Sequence, residues 1–303
     1  MLKRYFTKHS FLHEMAALHA NSCSVIDNDF TCDWIVFSKD RAMQLHSLLS
    51  SYLELVSNPS KITVLYKTSS MRHEQAYDEL RNELSQEMFV FIKETNFRKQ
   101  LISILTHISS TKIILMCDDG VVKEPFDMID FVKYNPLVSV PTLLRGEDWH
   151  YCFARQHKQK LPEFIQGVVE PKMRAWIWSN VPESPDWSYP LSVGGHLFHR
   201  YELLSLMKRL PFWGPNSLEG NLQIYKPFFI NRMGISYQRT IIGSTPINIV
   251  NSEVESNWIS GGHSSEGLLD MWERGYRIKY EDLYGLDAVD IVKHDLQFVS
   301  RDK

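Results

Sequence analysis

The sequence predicts an α/β fold whose mostly parallel sheet is flanked by helices, and three observations support this. Residues 113–117 form a continuous apolar run, which is typical of a strand buried on both faces in the middle of a parallel sheet. That run ends abruptly at Asp118, Asp119 and Gly120. Upstream of it, short apolar runs alternate with segments of helical periodicity, which predicts parallel strands joined by crossover helices.

The first half of the chain supplies these elements in order. We predict strands at residues 33–37, 61–66, 88–92 and 113–117, the first of which runs into a polar turn at 38–41. Apolar residues at helical spacing predict the intervening helices at 43–56, 73–84 and 97–108. The sequence Asn58, Pro59, Ser60 ends the first of these helices.

The second half is less regular. Residues 146–190 are rich in Trp, Pro, His and charge without a clear period, so we predict long loops with short helices there. Strands are predicted within 136–145, 191–198 and 245–250, and helices at 201–208, from 215 and at 268–272. Residues 256–266 are Ser/Gly-rich and expected to be mobile, and residues 280–292 are predicted to form a peripheral tail.

Composition narrows the classes of protein. The 303 residues are 44% hydrophobic, which is enough to bury a core of one large domain. A net charge of −3 gives no basic surface for nucleic acid. The four cysteines form no C-x-x-C pair, so we expect no zinc site and a reducing, cytoplasmic setting. No apolar run approaches the ~18–20 residues of a membrane span.

Residues 1–30 are predicted to form an N-terminal helical extension. Phe6, Phe11, Leu12, Met15 and Leu18 would share one face of a short helix. We expect that face to pack on the domain, and peripheral contact with a membrane surface is the alternative.

The acidic pair Asp118 and Asp119 is the main chemical signal. Ligands of open α/β sheets bind at the carboxyl ends of strands, and adjacent acids are costly to bury unless a cation neutralises them. The pair therefore predicts a divalent metal that holds a diphosphate, although a solvated Asp-Gly turn explains the same residues. The chain has neither a P-loop nor a G-x-G-x-x-G, so a metal on carboxylates is the expected phosphate-binding device.

Residues 37–41, together with Asp118 and Asp119, resemble the GT-A nucleotide-sugar glycosyltransferases, in the family-2-like bacterial group. Residues 187–196 and 215–219 resemble the acceptor-side segments of bacterial relatives, so the resemblance covers roughly residues 33–265 and rests on order and spacing. In that family the acidic pair, called the DxD motif, binds Mn²⁺ or Mg²⁺ on the donor diphosphate. This sequence departs from the pattern because no third acid follows the pair.

The resemblance implies a GT-A fold, which is Rossmann-like, and a division of the chain. Residues 31–267 would form the GT-A domain, with a nucleotide-sugar half at 31–135 and an acceptor half at 136–267. Residues 1–30 would precede it as the helical extension, and residues 268–303 would follow as a C-terminal helical tail. The sequence gives no indication of the oligomeric state.

Donor-binding residues are predicted at three strand ends. Ser38, Asp40 and Arg41 are expected to bind the base and ribose of a nucleotide sugar, for which UDP is favoured; a helix cap with a solvated ion pair is the alternative. Glu94 follows the third strand and would contact the base or cap the next helix. Asp118 would complete the donor set.

Metal and acceptor residues follow from the same resemblance. Asp119 and Asp118 are the predicted ligands of Mn²⁺ or Mg²⁺, and His263 is a candidate third ligand, with a solvated loop histidine as the alternative. His196, which follows a glycine pair, and Trp187 are predicted to line the acceptor pocket. A place in the core is the alternative for Trp187.

Glu219 lies near a predicted helix start, where the resemblance places an acidic base. It is predicted to take the proton of the acceptor hydroxyl, and a first-turn residue favoured by the helix dipole is the alternative. The predicted function is a metal-dependent, inverting glycosyltransferase acting on a glycan or glycoconjugate acceptor in polysaccharide assembly. A retaining GT-A transferase and a catalytically silent GT-A domain that binds a glycan or partner are the alternatives.

Overall fold

The computed structural model of the chain describes residues 2–20, 24–84, 87–248, 250 and 262–301. Its α-helices are α1 (Leu2–Ala20), α2 (Ala42–Leu55), α3 (Met71–Glu83), α4 (Phe97–His107), α5 (Met128–Val132), α6 (Arg200–Arg209), α7 (Pro215–Leu222), α8 (Lys226–Phe229), α9 (Ser265–Glu273) and α10 (Ala288–Lys293). Its strands are β1 (Cys32–Lys39), β2 (Val56–Ser57), β3 (Ile62–Lys67), β4 (Phe89–Lys93), β5 (Lys112–Cys117), β6 (Gly120–Val122), β7 (Phe126–Asp127), β8 (Ser139–Pro141), β9 (Tyr151–Cys152), β10 (His157–Lys158), β11 (Met173–Ile177), β12 (His196–His199), β13 (Met233–Tyr237), β14 (Ile242–Ser244), β15 (Tyr276–Ile278) and β16 (Phe298–Ser300).

The central sheet has five strands in the order β12-β5-β1-β3-β4. Strands β5, β1, β3 and β4 are parallel to one another, and β12 joins the β5 edge in the antiparallel direction. The predicted α/β fold with a mostly parallel sheet flanked by helices is confirmed. Each of the four predicted strands of the first half is present, with bounds that differ from the prediction by a few residues at most.

Alternating side chains of the central strands supply two cores, one on each face of the sheet. On one face, Trp34 and Val36 of β1 are buried together with residues of α2 and α3. On the other face, Ile35 and Phe37 of the same strand are buried together with residues of α4 and α6. Because both faces of β1 and β5 are covered, these two strands are apolar and buried from Trp34 to Phe37 and from Ile113 to Met116.

The parallel register brings the polar strand ends to one edge of the sheet. Phe37 lies beside Cys117, Lys39 beside Lys67, and Tyr66 beside Lys93. The residues that follow these positions, from Ser38 to Arg41, Glu94, and Asp118 with Asp119, therefore meet at the carboxyl edge.

The second half contains a small sheet that the sequence did not predict, with the order β11-β13-β8. We expected loops and short helices across 146–190, but β11 crosses that region and pairs with β13 nearly sixty residues later. Both strands are short and pair with segments that are distant in sequence, so the local sequence pattern does not predict either of them.

Two strand predictions of the second half need correction. The strand predicted at 191–198 begins only at His196, because Gly195 has a φ of +72°, which interrupts extended backbone before it. The strand predicted at 245–250 is wrong for residues 245–248: β14 ends at Ser244, and the chain continues irregularly over the carboxyl edge of the central sheet.

Both terminal segments pack on the domain. Phe11 and Met15 of α1 are buried in the core on the α4 and α6 face. Trp272, Leu283 and Ile291 are buried in the opposite core, so the segment after 280 is not peripheral. Most of the segment predicted to be mobile, 256–261, lies outside the described residues. Among the residues that are described, no helix has both the length and the apolar character that crossing a membrane requires.

Candidate functional site

A cavity of about 630 Å³ opens at the carboxyl edge of the central sheet. Its walls come from the ends of β1, β3 and β5, from the α6–α7 connection, and from the chain after β14. Five of the residues predicted to bind the donor and the metal line it: Ser38, Arg41, Glu94, Asp118 and Asp119. This volume is within the ordinary range of small-molecule sites.

Asp118 forms the floor of the cavity and is already engaged by three donors. Its Oδ2 accepts hydrogen bonds from Ser38 Oγ at 2.8 Å and from the Lys39 backbone N–H at 3.2 Å. Its Oδ1 accepts from Arg41 Nη1 at 3.0 Å. Burial raises the pKa of the Asp118 carboxyl; Arg41 opposes that shift, and Asp119 adds to it. The first acid of the pair is therefore tied to the end of β1.

Arg41 is the internal counter-ion of the acidic pair. The same Nη1 lies 3.7 Å from Asp119 Oδ2, and the guanidinium is largely buried. On its other side, Arg41 Nε donates to Asn248 Oδ1 at 2.7 Å, and Nη2 donates to the Asn248 carbonyl. Burial acts to lower the pKa of Arg41, but Asp118 and Asp119 outweigh it and raise that pKa. One guanidinium thus joins the acidic pair to the chain after β14.

Asp119 is the open carboxylate of the pair, with 27% of its side chain exposed. Its backbone carbonyl accepts from the Thr245 backbone N–H at 2.8 Å, which fixes the acid at the cavity wall. Mg²⁺ and Mn²⁺ are commonly held by one or two protein carboxylates, with phosphate and water oxygens completing the shell. Asp119, with the remaining lone pairs of Asp118, fits such a site.

A larger protein ligand set is not found in the described part of the chain, where no three His, Cys, Asp or Glu side chains are placed to hold a metal ion. His263, the predicted third ligand, is not among the residues that line the cavity. Its ring packs edge-on against Phe298 of β16, with centroids 5.3 Å apart. Any metal bound here would take most of its ligands from water or from a bound ligand.

The β3 side of the cavity carries a charged pair and apolar walls. Glu94 lies with its carboxylate 3.3 Å from Lys67 Nζ, and both residues line the cavity beside Leu65 and Phe97. Lys39 lines it from β1, and its Nζ donates to the Val250 carbonyl at 2.8 Å. This mixture of a flat apolar wall and charged groups suits a nucleoside.

Asp40 has a different role from Ser38 and Arg41. It takes a φ of +54°, and its two carboxylate oxygens accept from the backbone N–H and the hydroxyl of Ser69, at 2.7 and 2.6 Å. It is not among the cavity-lining residues. Its carboxylate therefore fastens the turn after β1 to the chain after β3.

The two residues predicted to line the acceptor pocket are both fully buried. Trp187 has no exposed surface, packs on Trp176 at 4.9 Å between centroids, and donates through Nε1 to the Trp149 carbonyl. His196 accepts through Nδ1 from the Ser192 backbone N–H at 3.1 Å. Burial lowers the pKa of His196 well below its usual range, so the ring is neutral at physiological pH. Neither residue lines the cavity.

Glu219 lies on α7, which contributes Pro215 and Asn216 to the cavity wall. Its Oε2 accepts from the Val193 backbone N–H at 2.7 Å and from Ser192 Oγ at 3.0 Å. Burial raises the pKa of the Glu219 carboxyl, and these hydrogen bonds oppose that rise. The carboxylate is partly buried and is not itself among the lining residues.

Several lining residues were not predicted. Asn248 reaches the cavity from the chain after β14, and its Nδ2 is buried without an acceptor in the described residues. Trp213, Asn216, Trp149 and Phe153 also line the cavity. Of these, only Trp213 carries a signal in the sequence, as a tryptophan next to the Gly214-Pro215 that starts α7.

Comparison with known proteins gives structural matches only. No family model matches the chain, and no curated protein matches it. Three similar solved structures are the WbbM bifunctional glycosyltransferase in its apo form, the mannosyltransferase PcManGT from Pyrobaculum calidifontis with GDP-Man and Mn²⁺, and a nucleotidyl transferase from Methanothermobacter. Two of these three structures are described as glycosyltransferases and one as a nucleotidyl transferase.

These likenesses are distant. WbbM is 15% identical, with 69% of this chain and 39% of that chain covered, at a TM-score of 0.38. PcManGT is 12% identical, with coverages of 81% and 68% and a TM-score of 0.44. The nucleotidyl transferase is 11% identical, with coverages of 69% and 88% and a TM-score of 0.38. All three TM-scores are below 0.5.

Proposed function

We propose that this chain is a glycosyltransferase of the GT-A type, which moves a sugar from a nucleotide-sugar donor to a glycan or glycoconjugate acceptor. One observation carries the proposal: the cavity at the carboxyl edge of the parallel sheet has the pair Asp118 and Asp119 at its base. The same cavity offers a nucleoside-sized wall on the β3 side and an independent wall from α7.

The donor would lie across the strand ends. Leu65, Lys67 and Glu94 would hold the base and ribose, for which we favour uridine. Lys39 and Arg41 would face the diphosphate, where two cations favour a doubly charged group over a neutral one. Both cations already make hydrogen bonds to the chain after β14, so Asn248 and Val250 would lie against the same phosphates.

The metal dependence rests on Asp119. A divalent cation bound by this carboxylate and the diphosphate would supply charge stabilisation for the departing nucleoside diphosphate. Arg41 would favour the ionised form of Asp118, because its guanidinium contacts that carboxylate and opposes the rise in pKa that burial causes. His263 would join the ligands only through a rearrangement that brings it from Phe298 to the cavity.

Glu219 is the proposed base of an inverting reaction. Residues three apart on a helix share a face at about 5–6 Å between Cβ atoms, so Glu219 and the cavity-lining Asn216 are neighbours. The raised pKa of Glu219 makes its carboxylate a stronger proton acceptor than an ordinary glutamate. In the retaining alternative, Glu219 would only anchor residues 192 and 193 to α7.

The test is calorimetric titration of UDP and GDP, with Mn²⁺ and with EDTA. We expect wild-type binding to need the metal and Asp119→Ala to lose it, because the substitution removes the open carboxylate. The matched control is Asp295→Ala, an exposed aspartate outside the cavity, which should bind like wild type. Equal affinity in EDTA would refute the metal dependence, and the absence of binding to any nucleotide under either condition would refute the donor site itself.

A further inference from the structure

Trp213 is a large aromatic residue that lines the cavity and is exposed to solvent. Its side chain and backbone together are 65% exposed, although the neighbouring Phe212 is buried against Phe97 at 5.9 Å between centroids. The Trp213 backbone N–H donates to Ser217 Oγ at 3.0 Å, which ties it to the first turn of α7. The indole is therefore exposed on an anchored backbone rather than on a loose loop, and exposed apolar surface at such a place indicates a binding partner.

Asn216 adds an unused hydrogen-bond donor to the same wall. Its Nδ2 is shielded from solvent and meets no acceptor among the described residues, although the residue lines the cavity. A shielded amide N–H₂ without an acceptor costs free energy in the ligand-free protein. A ligand oxygen in the cavity would remove that cost once the Asn216 side chain turns to present its Nδ2, which the ligand-free conformation shields.

A flat apolar surface beside a directional donor has the chemistry that recognises a sugar ring. A pyranose has one face of C–H groups, which can lie on an indole, and a rim of hydroxyl oxygens, which accept and donate hydrogen bonds. Trp149 and Phe153 extend the aromatic wall of the cavity beyond Trp213. A lipid chain would use the aromatic surface but leave Asn216 Nδ2 unsatisfied.

We propose that Trp213 and Asn216 form the acceptor subsite, in which a pyranose ring of a saccharide acceptor stacks on the indole and accepts a hydrogen bond from Asn216 Nδ2. This inference rests on the proposed glycosyl transfer and names the site of its acceptor. Asn216 and Glu219 share one face of α7, so a hydroxyl next to the bound oxygen lies within reach of the proposed base.

The competing occupant of Trp213 is the base of the donor, which is also a flat ring. The position of Trp213 in the fold favours a saccharide over the donor base as its occupant. Trp213 belongs to the connection between α6 and α7, while the charged pair that suits a nucleoside, Lys67 and Glu94, follows β3 and β4. Nucleotide titration distinguishes the two occupants. If the indole stacks on the donor base, Trp213→Ala weakens nucleotide binding even without an acceptor. If the indole stacks on a saccharide, nucleotide binding is unchanged.

Saturation-transfer NMR of simple sugars on the full chain tests the proposal. The probes are the methyl glycosides of glucose, galactose, mannose and N-acetylglucosamine, with maltose, cellobiose and lactose, each added to protein saturated with UDP or GDP. We expect at least one sugar to receive saturation mainly on the C–H protons of one ring face. Trp213→Ala should weaken its binding about tenfold or more, Trp213→Phe should weaken it less, and Asn216→Ala should also weaken it.

Tyr276→Ala is the matched control, since Tyr276 is an exposed aromatic residue that is not among the cavity-lining residues. It should leave sugar binding unchanged. Equal sugar affinity in wild type and Trp213→Ala would overturn the proposal, and so would the absence of a signal for every probe up to its solubility. Circular dichroism of each variant should match wild type, because Trp213 is exposed.

Nucleotide titration separates this proposal from the proposed donor site. Trp213→Ala should bind UDP or GDP with the affinity of wild type. If that variant loses nucleotide affinity without any sugar present, the indole stacks on the donor base and the acceptor subsite is refuted. If wild type binds sugars through Trp213 but binds no nucleotide, glycosyl transfer fails while the saccharide site stands.

Discussion

Replacing Arg41 with glutamine tests whether the acidic pair depends on an internal counter-ion. The substitution removes the cation from Asp118, which is 3% exposed, and from Asp119 at 3.7 Å. Removing one partner of a buried ion pair costs about 3–5 kcal/mol, because the other charge is left without compensation. We expect about 3 kcal/mol, near the lower limit, because Asp119 is partly solvated. In a chain of this length that corresponds to a fall in Tm of roughly 5 °C.

The loss should depend on pH in a defined direction. Burial already raises the pKa of Asp118, and removing Arg41 raises it further. A group whose pKa is raised by folding contributes stability below its ordinary pKa and loses that contribution as the pH rises through the raised value. The difference in the free energy of unfolding between variant and wild type should therefore be largest at about pH 7. It should shrink as the pH falls through the raised pKa of Asp118.

Urea denaturation across that pH range measures the effect. Adding Asp118→Asn to Arg41→Gln should restore part of the stability, since the uncompensated carboxylate is gone. Arg72→Gln is a matched control: Arg72 contacts Glu266, Asp270 and Glu273 but is exposed, so its loss should change stability little. The counter-ion role would be refuted if the loss of stability in Arg41→Gln were constant with pH and additive with the effect of Asp118→Asn.

Two further predictions concern Glu219 and Glu202. Glu219→Gln should lower turnover by about 10²–10⁴-fold with nucleotide affinity unchanged, and the product should be inverted at the anomeric carbon when its linkage is examined by NMR; unchanged turnover or retained configuration would remove Glu219 from the base role. Burial acts to raise the pKa of Glu202, but Arg232 at 2.6 Å and His19 at 3.0 Å outweigh it and lower that pKa. Its stabilising contribution is therefore present above the ordinary pKa of a glutamate and is lost as the pH falls through the lowered value. Glu202→Gln should cost about 3–5 kcal/mol near neutral pH by urea denaturation, and a cost that did not shrink in acid would contradict this.

The central sheet was predictable because its signals are local. The apolar run 113–117 and the alternation upstream of it depend only on near neighbours, and a helix lies between each of the four parallel strands and the next. The acidic pair was predictable for the same reason, since a strand that ends in Asp118 and Asp119 must place them at the carboxyl edge.

The environments of individual site residues were not predictable. Asp40 and Arg41 are adjacent in sequence, but the positive φ of Asp40 sends its carboxylate to Ser69 and leaves Arg41 at the acids. His196 was predicted to line the acceptor pocket, but it begins β12 and is covered on all sides. Asn248 joins the cavity only through contacts more than two hundred residues apart. Such placements depend on tertiary packing, which no local pattern records.

The arrangement around Arg41 sets an order of events during synthesis of the chain. Ser38 and Asp118 are 80 residues apart, whereas Arg41 and Asn248 are 207 residues apart. At a synthesis rate of roughly 5–20 residues per second, about 10–40 s pass between the synthesis of Arg41 and that of Asn248. The outer edge of β5 also stays open until β12 is made, and an uncovered strand edge pairs readily with other chains. Nascent chains should therefore depend most on chaperones between the synthesis of β5 and that of β12.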